Sequence, residues 1–344
     1  MKRIGRRLSA STAVLAPNSA ARTGADVALG ALAASGDSVT IAEPKRAVIV
    51  GTSGRVGRAI HRAIANRYAV TGLDRTPCSI VDHLVDVCDT VSLTRVFEGA
   101  HVVFHVASLH APHVGVAPDS EFARVNIDGA RSVIRACRQA GVPKLVYTST
   151  TALYGSASSD PDRCVWLDEA SPPEPKTVYH RTKLEAEHML EAEADGALKV
   201  TVLRMSGCFP EPAPLMAAYR LHRGIDARDV AAAHRMAAEV DGDPFQRFIV
   251  SGHVPFLRED QEALKTRADE VIRLRDPETA ALFDRQKWAL PKRIDRVYSP
   301  EAAERALGWR SRYGPREVLR QYEDMSPEVL PPSHAAQITA RLDP

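Results

Sequence analysis

Tyr179 and Lys183 stand four residues apart, so a helix places them on one face. A phenol with an ordinary pKa near ~10 is a poor base at neutral pH. A neighbouring ammonium, or a positively charged oxidised nicotinamide, stabilises the phenolate and makes it a usable base. Tyr179 can then take the proton of an alcohol whose hydride leaves for a cofactor, while Lys183 holds the nicotinamide ribose. The pattern Tyr-x-x-x-Lys also arises by chance on surface helices, so its surroundings carry the weight. The first of these is a run of hydroxyls, Thr148, Ser149, Thr150 and Thr151, ahead of Tyr154 and Gly155. Hydroxyls at the carboxyl end of a parallel strand face the ligand crevice, where one of them can donate to the substrate oxygen. The plainer reading is an ordinary Thr-rich strand end.

The second is a glycine turn. Ala47, Val48, Ile49 and Val50 form an apolar run that enters Gly51-x-x-Gly54-x-x-Gly57, with Ser53, Arg55 and Val56 between the glycines. Residues 58–65 leave the turn with helical periodicity. Glycines allow a sharp turn and a close approach to a diphosphate, and the helix that follows aims unpaired N–H groups and a positive dipole end at it. Three glycines alone also serve merely to pack a helix on a strand. The next strand, however, ends in Asp74, 23 residues after Gly51, at the spacing where a carboxylate meets the adenosine ribose. Asp74 favours NAD, because a carboxylate repels the 2′-phosphate of NADP; Arg75 beside it leaves NADP as the less favoured choice.

These residues need a frame. Apolar strand-like runs at 47–50, 68–74, 101–107, 144–150, 198–204 and 245–251 alternate with helical stretches at 58–65, 91–99, 122–141, 178–194 and 227–240. The helix over 122–141 turns Val125, Ala130, Val133, Ile134 and Cys137 inward. Such alternation predicts an α/β fold, a Rossmann-type doubly wound parallel sheet, with a small C-terminal substrate-binding lobe. The expected division is an extension at 1–44, a dinucleotide-binding domain at 45–206, a mixed region at 207–330 that completes the sheet and forms the lobe, and a loose tail at 331–344. Residues 155–175 read as a loop, and 259–274 as one charged helix with a solvated face, followed by short helices at 278–285, 301–307 and 315–322. Trp166, Trp288 and Trp309 read as packing residues.

Bulk properties exclude other classes. The chain has 344 residues, is 44% hydrophobic and carries a net charge of +2, which gives no electrostatic case for nucleic acid or an anionic membrane. No apolar run approaches the roughly 18 residues of a membrane span. The five cysteines, Cys78, Cys88, Cys137, Cys164 and Cys208, are scattered, consistent with reduced thiols and a cytoplasmic protein. His105, His110 and His113 lie after a strand without a helical face to converge them, so no metal is expected. Residues 1–44 are rich in Ala, Ser and Thr, with no acid before Asp26. They read as a disordered extension or a start codon assigned too early, with a targeting segment as the alternative.

The ordered set Gly51-x-x-Gly54-x-x-Gly57, Asp74, Asp86-Val-Cys-Asp89, His105-Val-Ala107, Asn126, Ser149-Thr150, Tyr154-Gly155, Tyr179-x-x-x-Lys183, Arg204 and Leu307-Gly-Trp309 resembles the extended short-chain dehydrogenase/reductases, the NAD-dependent epimerases and dehydratases. The resemblance spans about four-fifths of the chain. It implies Thr150 as the catalytic hydroxyl, Tyr179 as the base, Lys183 as the ribose lysine and Asn126 as a member of the proton-relay set. It implies that Asp86, with Val87 behind it, meets the adenine, and that the backbone at Ala107 passes the cofactor. Ser108 and His110 then lie in a loop that lines the substrate site, together with Ser149 and Thr150. Arg204 and Arg296 are candidates for a substrate carboxylate or phosphate, with ordinary salt bridges as the alternative. Homodimers through the helices at 122–141 and 178–194 are also implied.

The stretch from Arg204 to Asp229 is shorter than the nucleotide-cradling region of nucleotide-sugar enzymes, and 203–212 resembles the uronate dehydrogenases. Three readings follow: a sugar or nucleotide-sugar epimerase or dehydratase, a net dehydrogenase of a free sugar acid or small polyol, and a non-catalytic dinucleotide sensor. The intact Thr150, Tyr179 and Lys183 weigh against the last.

Overall fold

The computed structural model describes residues 44–332; the expected extension and most of the expected tail lie outside the described residues. The described strands are β1 (Arg46–Val50), β2 (Ala69–Asp74), β3 (His83–Leu84), β4 (Val102–His105), β5 (Lys144–Thr150), β6 (Val165–Leu167), β7 (Lys199–Met205), β8 (Phe245–Val250) and β9 (Arg296–Tyr298). Seven of them form one sheet in the order β3-β2-β1-β4-β5-β7-β8, every neighbouring pair parallel. Strands covered on both faces read as continuous apolar runs rather than alternating ones. That is how Ala47–Val50 reads, and Ala47, Val48 and Ile49 have no exposed surface.

The helices are α1 (Arg55–Ile64), α2 (Thr90–Phe97), α3, α4 (Val178–Glu193), α5 (Ala213–Tyr219), α6 (Ala227–Glu239), α7 (Gln261–Thr266), α8 (Ala268–Arg275), α9 (Pro277–Gln286), α10 (Glu301–Leu307) and α11 (Pro315–Glu323). The long helix α3 starts before its expected first residue, Phe122. It runs through Asp119–Phe122, passes a π-helical stretch at Ala123–Asp128 and continues as Gly129–Ala140. Gly141, in the left-handed region at φ 68°, ends it. One apolar cluster packs α1, α6, α10 and Trp309 against one face of the sheet; a second packs α2, α3 and α4 against the other. The chain reverses direction across the sheet at β1, which pairs with β2 on one side and β4 on the other. In a doubly wound sheet this switch point opens a crevice at the carboxyl ends of the strands.

The second half departs from expectation in three places. The stretch 259–274 is not one helix with a solvated face. It is two, broken at Arg267 (φ −145°, ψ 48°), and it buries Leu264, Ala268, Val271 and Ile272 in a third apolar cluster with α5, α9 and α11. Charged residues at the ends of two short helices had read as one polar surface. The loop at 155–175 holds β6, which pairs in parallel with β9 131 residues later (296 − 165). Helix α5 lies in the Pro- and Ala-rich stretch after Cys208, where no helix was anticipated. Trp309 is buried and donates to the Asp229 carbonyl at 3.0 Å. Among the described residues no helix is long and apolar enough to cross a membrane.

One of the ties between the C-terminal segment and α6 is a carboxylate. Asp229 accepts the backbone N–H groups of Arg312 at 2.9 Å and Tyr313 at 3.0 Å. Removing it strands two donors. Asp229→Ala is therefore expected to lower stability by about 1–3 kcal/mol in urea unfolding; a change under half a kcal/mol would show that water replaces the carboxylate.

Candidate active site

Gly51 has φ 98°, a value that L side chains rarely adopt, and a Cβ there would lie 2.5 Å from the Ala107 nitrogen. The glycine thus lets β1 and the end of β4 meet. The turn is stitched to β2 as well: the N–H groups of Gly51 and Thr52 donate to the Leu73 carbonyl. A Cβ at Gly57 would lie 2.1 Å from the Gly51 oxygen, so this glycine seats α1 on the turn. Gly54 is different: its nearest neighbour would be at 3.4 Å, and it faces the crevice. No side chain caps the first turn of α1, leaving its N–H groups for a ligand.

One cleft of 990 Å³ runs from this turn across the carboxyl ends of the strands. Ser53, Arg55, Val56, Asp74 and Arg75 line one end, and Asp86, Val87 and Ala107 line the floor beside them. Asp74 is oriented by two backbone donors, Ser53 N–H at 3.0 Å and Thr76 N–H at 2.9 Å. Asp86 is held by Arg124 at 3.1 and 3.2 Å. A cradle of glycines, an uncapped helix end and an oriented carboxylate at the end of β2 together fit a dinucleotide.

At the other end, β5 delivers Ser149 and Thr150, and α4 delivers Tyr179 and Lys183 to the same cleft. The Lys183 ammonium donates to the Thr148 carbonyl at 2.7 Å and lies 4.0 Å from the Tyr147 ring centroid. Burial drives its pKa down to about 7, against the pull of the Glu187 carboxylate. Tyr179 departs from the simple expectation. Burial raises its pKa to about 12 and the Thr150 hydroxyl opposes that rise. Positive charge brought close to the phenol oxygen would favour the phenolate.

Three expected residues sit elsewhere or do other work. Asn126 is buried behind the cleft wall, in the π-helical stretch. It accepts from the Leu109 N–H at 2.8 Å and the Ser108 hydroxyl at 3.0 Å, and donates to the Leu109 carbonyl and the Thr182 hydroxyl. It locks the loop after β4 to α4. Arg204 does not reach the cleft: it is buried, paired with Glu187 at 2.7 Å and bonded to the Tyr154 hydroxyl at 2.9 Å. A guanidinium so engaged is not free for a substrate anion. Ser149 lines the cleft, but its hydroxyl donates to Glu187. His110 does line the cleft, stacked on His113 at 4.4 Å and against Phe209 at 5.3 Å. Among the described residues no His, Cys, Asp or Glu cluster is arranged to hold a metal ion.

Sequence reasoning missed the far wall. Phe209, Glu211, Tyr219, Arg220 and Arg223 line it, from the segment around α5, and Arg296 joins them from β9. Arg223 stacks 3.9 Å over the Tyr219 ring, and its Nε is buried without a partner. The four-residue spacing of Tyr219 and Arg223 was a faint signal, indistinguishable from others in a chain with 45 Lys and Arg.

Residues 47–212 match the NAD dependent epimerase/dehydratase family, and that stretch contains the whole glycine turn, the hydroxyl cluster and the Tyr179–Lys183 pair. That stretch of the chain belongs to this family. Among similar proteins, N-acetyl-alpha-D-glucosaminyl-diphospho-ditrans,octacis-undecaprenol 4-epimerase of Escherichia coli O157:H7 is 29% identical over 171 residues, 48% of this chain and 49% of that protein. The L-arabinose 1-dehydrogenase (NAD(P)(+)) of Haloferax volcanii is 31% identical over 170 residues, 46% of this chain and 66% of that protein. The chain thus spans about half to two-thirds of the length of these relatives. A short-chain dehydrogenase/reductase superfamily protein from Agrobacterium tumefaciens, solved with bound NAD, superposes with a TM-score of 0.61 at 18% identity over 80% of this chain and 95% of that one. At that identity the likeness shows the shared fold.

The two kinds of glycine separate by experiment. Gly57→Ala forces backbone apart and is expected to destabilise the fold by about 2–3 kcal/mol in urea unfolding. Gly54→Ala is expected to leave unfolding within about 0.5 kcal/mol of the parent while weakening dinucleotide binding at least tenfold in calorimetry.

Proposed function

We propose that this protein is an NAD-dependent oxidoreductase of the epimerase/dehydratase type acting on an anionic sugar derivative. What carries the reading is the meeting, in one cleft, of a diphosphate cradle with Thr150, Tyr179 and Lys183. NAD, when bound, takes up the hydride and supplies the positive charge that the Tyr179 phenol lacks on its own. Tyr179 then removes the proton of the substrate hydroxyl whose carbon gives up hydride. Thr150 holds that hydroxyl against Tyr179, and Lys183 holds the ribose. The resulting ketone is reduced on its other face or carried on to elimination.

Arg223 and Arg296 support the anionic class. Arg296 donates to the Ser158 hydroxyl at 2.9 Å and Arg223 rests on a ring, so the partners of both are neutral. Glu211, the acid that Arg223 feels, is itself held above the usual carboxylate range by burial. Guanidinium groups facing a partly dry cleft suit a phosphate or carboxylate.

The second reading is a net dehydrogenase of a free sugar acid. The single short helix α5 between β7 and α6 favours it, because so small a wall suits a small substrate. Purified protein with excess NAD and a panel of uronic acids, aldoses and nucleotide sugars separates the two. Accumulating NADH at 340 nm with a free sugar acid favours the dehydrogenase. A flat trace with an isomerised or dehydrated product by NMR favours the epimerase or dehydratase. A homodimer through α3 and α4 is part of the proposal, and size-exclusion chromatography with light scattering tests it.

Tyr179→Phe is expected to cut turnover at least a thousandfold while leaving NAD affinity within threefold; loss of binding instead would make the phenol a structural group. Asp74→Ala is expected to weaken NAD more than NADP by calorimetry, and an unchanged affinity ratio would remove the role given to this carboxylate.

A further inference from the structure

Tyr179, Lys183 and Glu187 follow one another at four-residue intervals down the buried face of α4. Glu187 has no exposed surface. Arg204 donates to it from Nη2 at 2.7 Å and from Nε at 3.1 and 3.2 Å. Arg247, on β8, brings its Nε to 3.1 Å of the same carboxylate, and the Ser149 hydroxyl of the cleft floor donates to it. A buried ion pair is weak evidence for stability, since desolvation offsets most of the attraction. A carboxylate with two guanidinium groups behind it and a cleft hydroxyl in front does something besides balance charge.

The surroundings of Lys183 say what. On β5 it meets the Thr148 carbonyl and the Tyr147 ring. On β4 it faces His105, which burial and the lysine charge keep neutral, with its pKa near 3. The loop after β4 adds His110, also pushed towards its neutral form by burial and the nearby His113. On α4 itself it has Tyr179, a neutral phenol, and Glu187. Among these groups Glu187 is the one negative charge, and it opposes the burial that works against the ammonium. We propose that Glu187 is a positioning residue that keeps the Lys183 ammonium charged at the reacting end of the cleft, with Arg204 and Arg247 setting how much of its charge reaches the lysine. This rests on the reading of the cleft as a dinucleotide site, in which charged Lys183 holds the ribose.

The test is NAD affinity as a function of pH, measured by calorimetry on the full chain, with Glu187→Gln and Arg247→Gln beside the parent. In the parent, affinity falls as pH rises through the titration of Lys183. In Glu187→Gln the fall is expected at a pH lower by about one unit or more, with binding about tenfold weaker across that interval. In Arg247→Gln the carboxylate is less neutralised, so the fall is expected to move the opposite way, to higher pH. A merely structural clamp would lower the melting temperature of both variants and leave both midpoints at the parental pH, and that result overturns the inference. Should Glu187→Gln not fold, Arg247→Gln decides alone: a shift to higher pH supports the inference, and no shift or the reverse shift overturns it. A parent that binds no NAD at any pH overturns the dinucleotide reading and this inference with it, whereas a parent that binds NAD with unmoved variant midpoints removes the inference alone.

Discussion

A buried ammonium requires an acceptor within hydrogen-bonding reach and a compensating charge close by, or it surrenders its proton. At Lys183 these come from different parts of the chain. The Thr148 carbonyl arrives on β5, the Tyr147 ring lies beneath, and Glu187 stands one turn further along α4. Glu187 is in turn held by Arg204 from β7 and Arg247 from β8. The central and outer strands of the sheet are therefore coupled to the reacting groups through charge as well as through apolar packing. The order β4-β5-β7-β8 is what makes that chain of contacts possible.

The opposite end of the cleft is governed by steric contact rather than charge. β1 enters the turn and meets the end of β4 because Gly51 carries no side chain, α1 seats on the turn because Gly57 carries none, and β2 beside them ends in Asp74. The same packing leaves the first N–H groups of α1 uncapped and turned to the cleft. Stability and ligand binding thus share residues at the turn but divide them. Gly57 leaves no room for a side chain between α1 and the turn, while Gly54 has room around it and faces the cleft.

The far wall comes from the C-terminal half, where five short helices and a two-stranded sheet surround a third apolar cluster. Arg223 and Arg296 reach the cleft from this half, the first from the turn after α5 and the second from β9. It is also where the sequence was least readable. β6 and β9 have three residues each and are stabilised by one another across a long separation, so neither carries a periodic signal of its own. The segment 259–274 buries its few apolar residues only because Arg267 breaks it into two short helices that fold onto α9 and α11.

Local patterning determined the doubly wound sheet, the glycine turn with Asp74 beyond it, and the Tyr179–Lys183 pair, because each of these is a short-range relation between residue type and backbone geometry. The boundaries of β5 at Lys144–Thr150 are those read from the sequence. Whether a charged residue faces ligand or protein was decided only by tertiary structure. Arg204 and Arg296 looked alike in the sequence; one is buried against Glu187 and the other lines the cleft. Asn126 lies behind the wall rather than in it, and Arg223 came to the site unannounced. The physical reason is that pairing energies depend on partners tens of residues away and on how dry the meeting point is, and neither quantity is written in a residue's immediate neighbours.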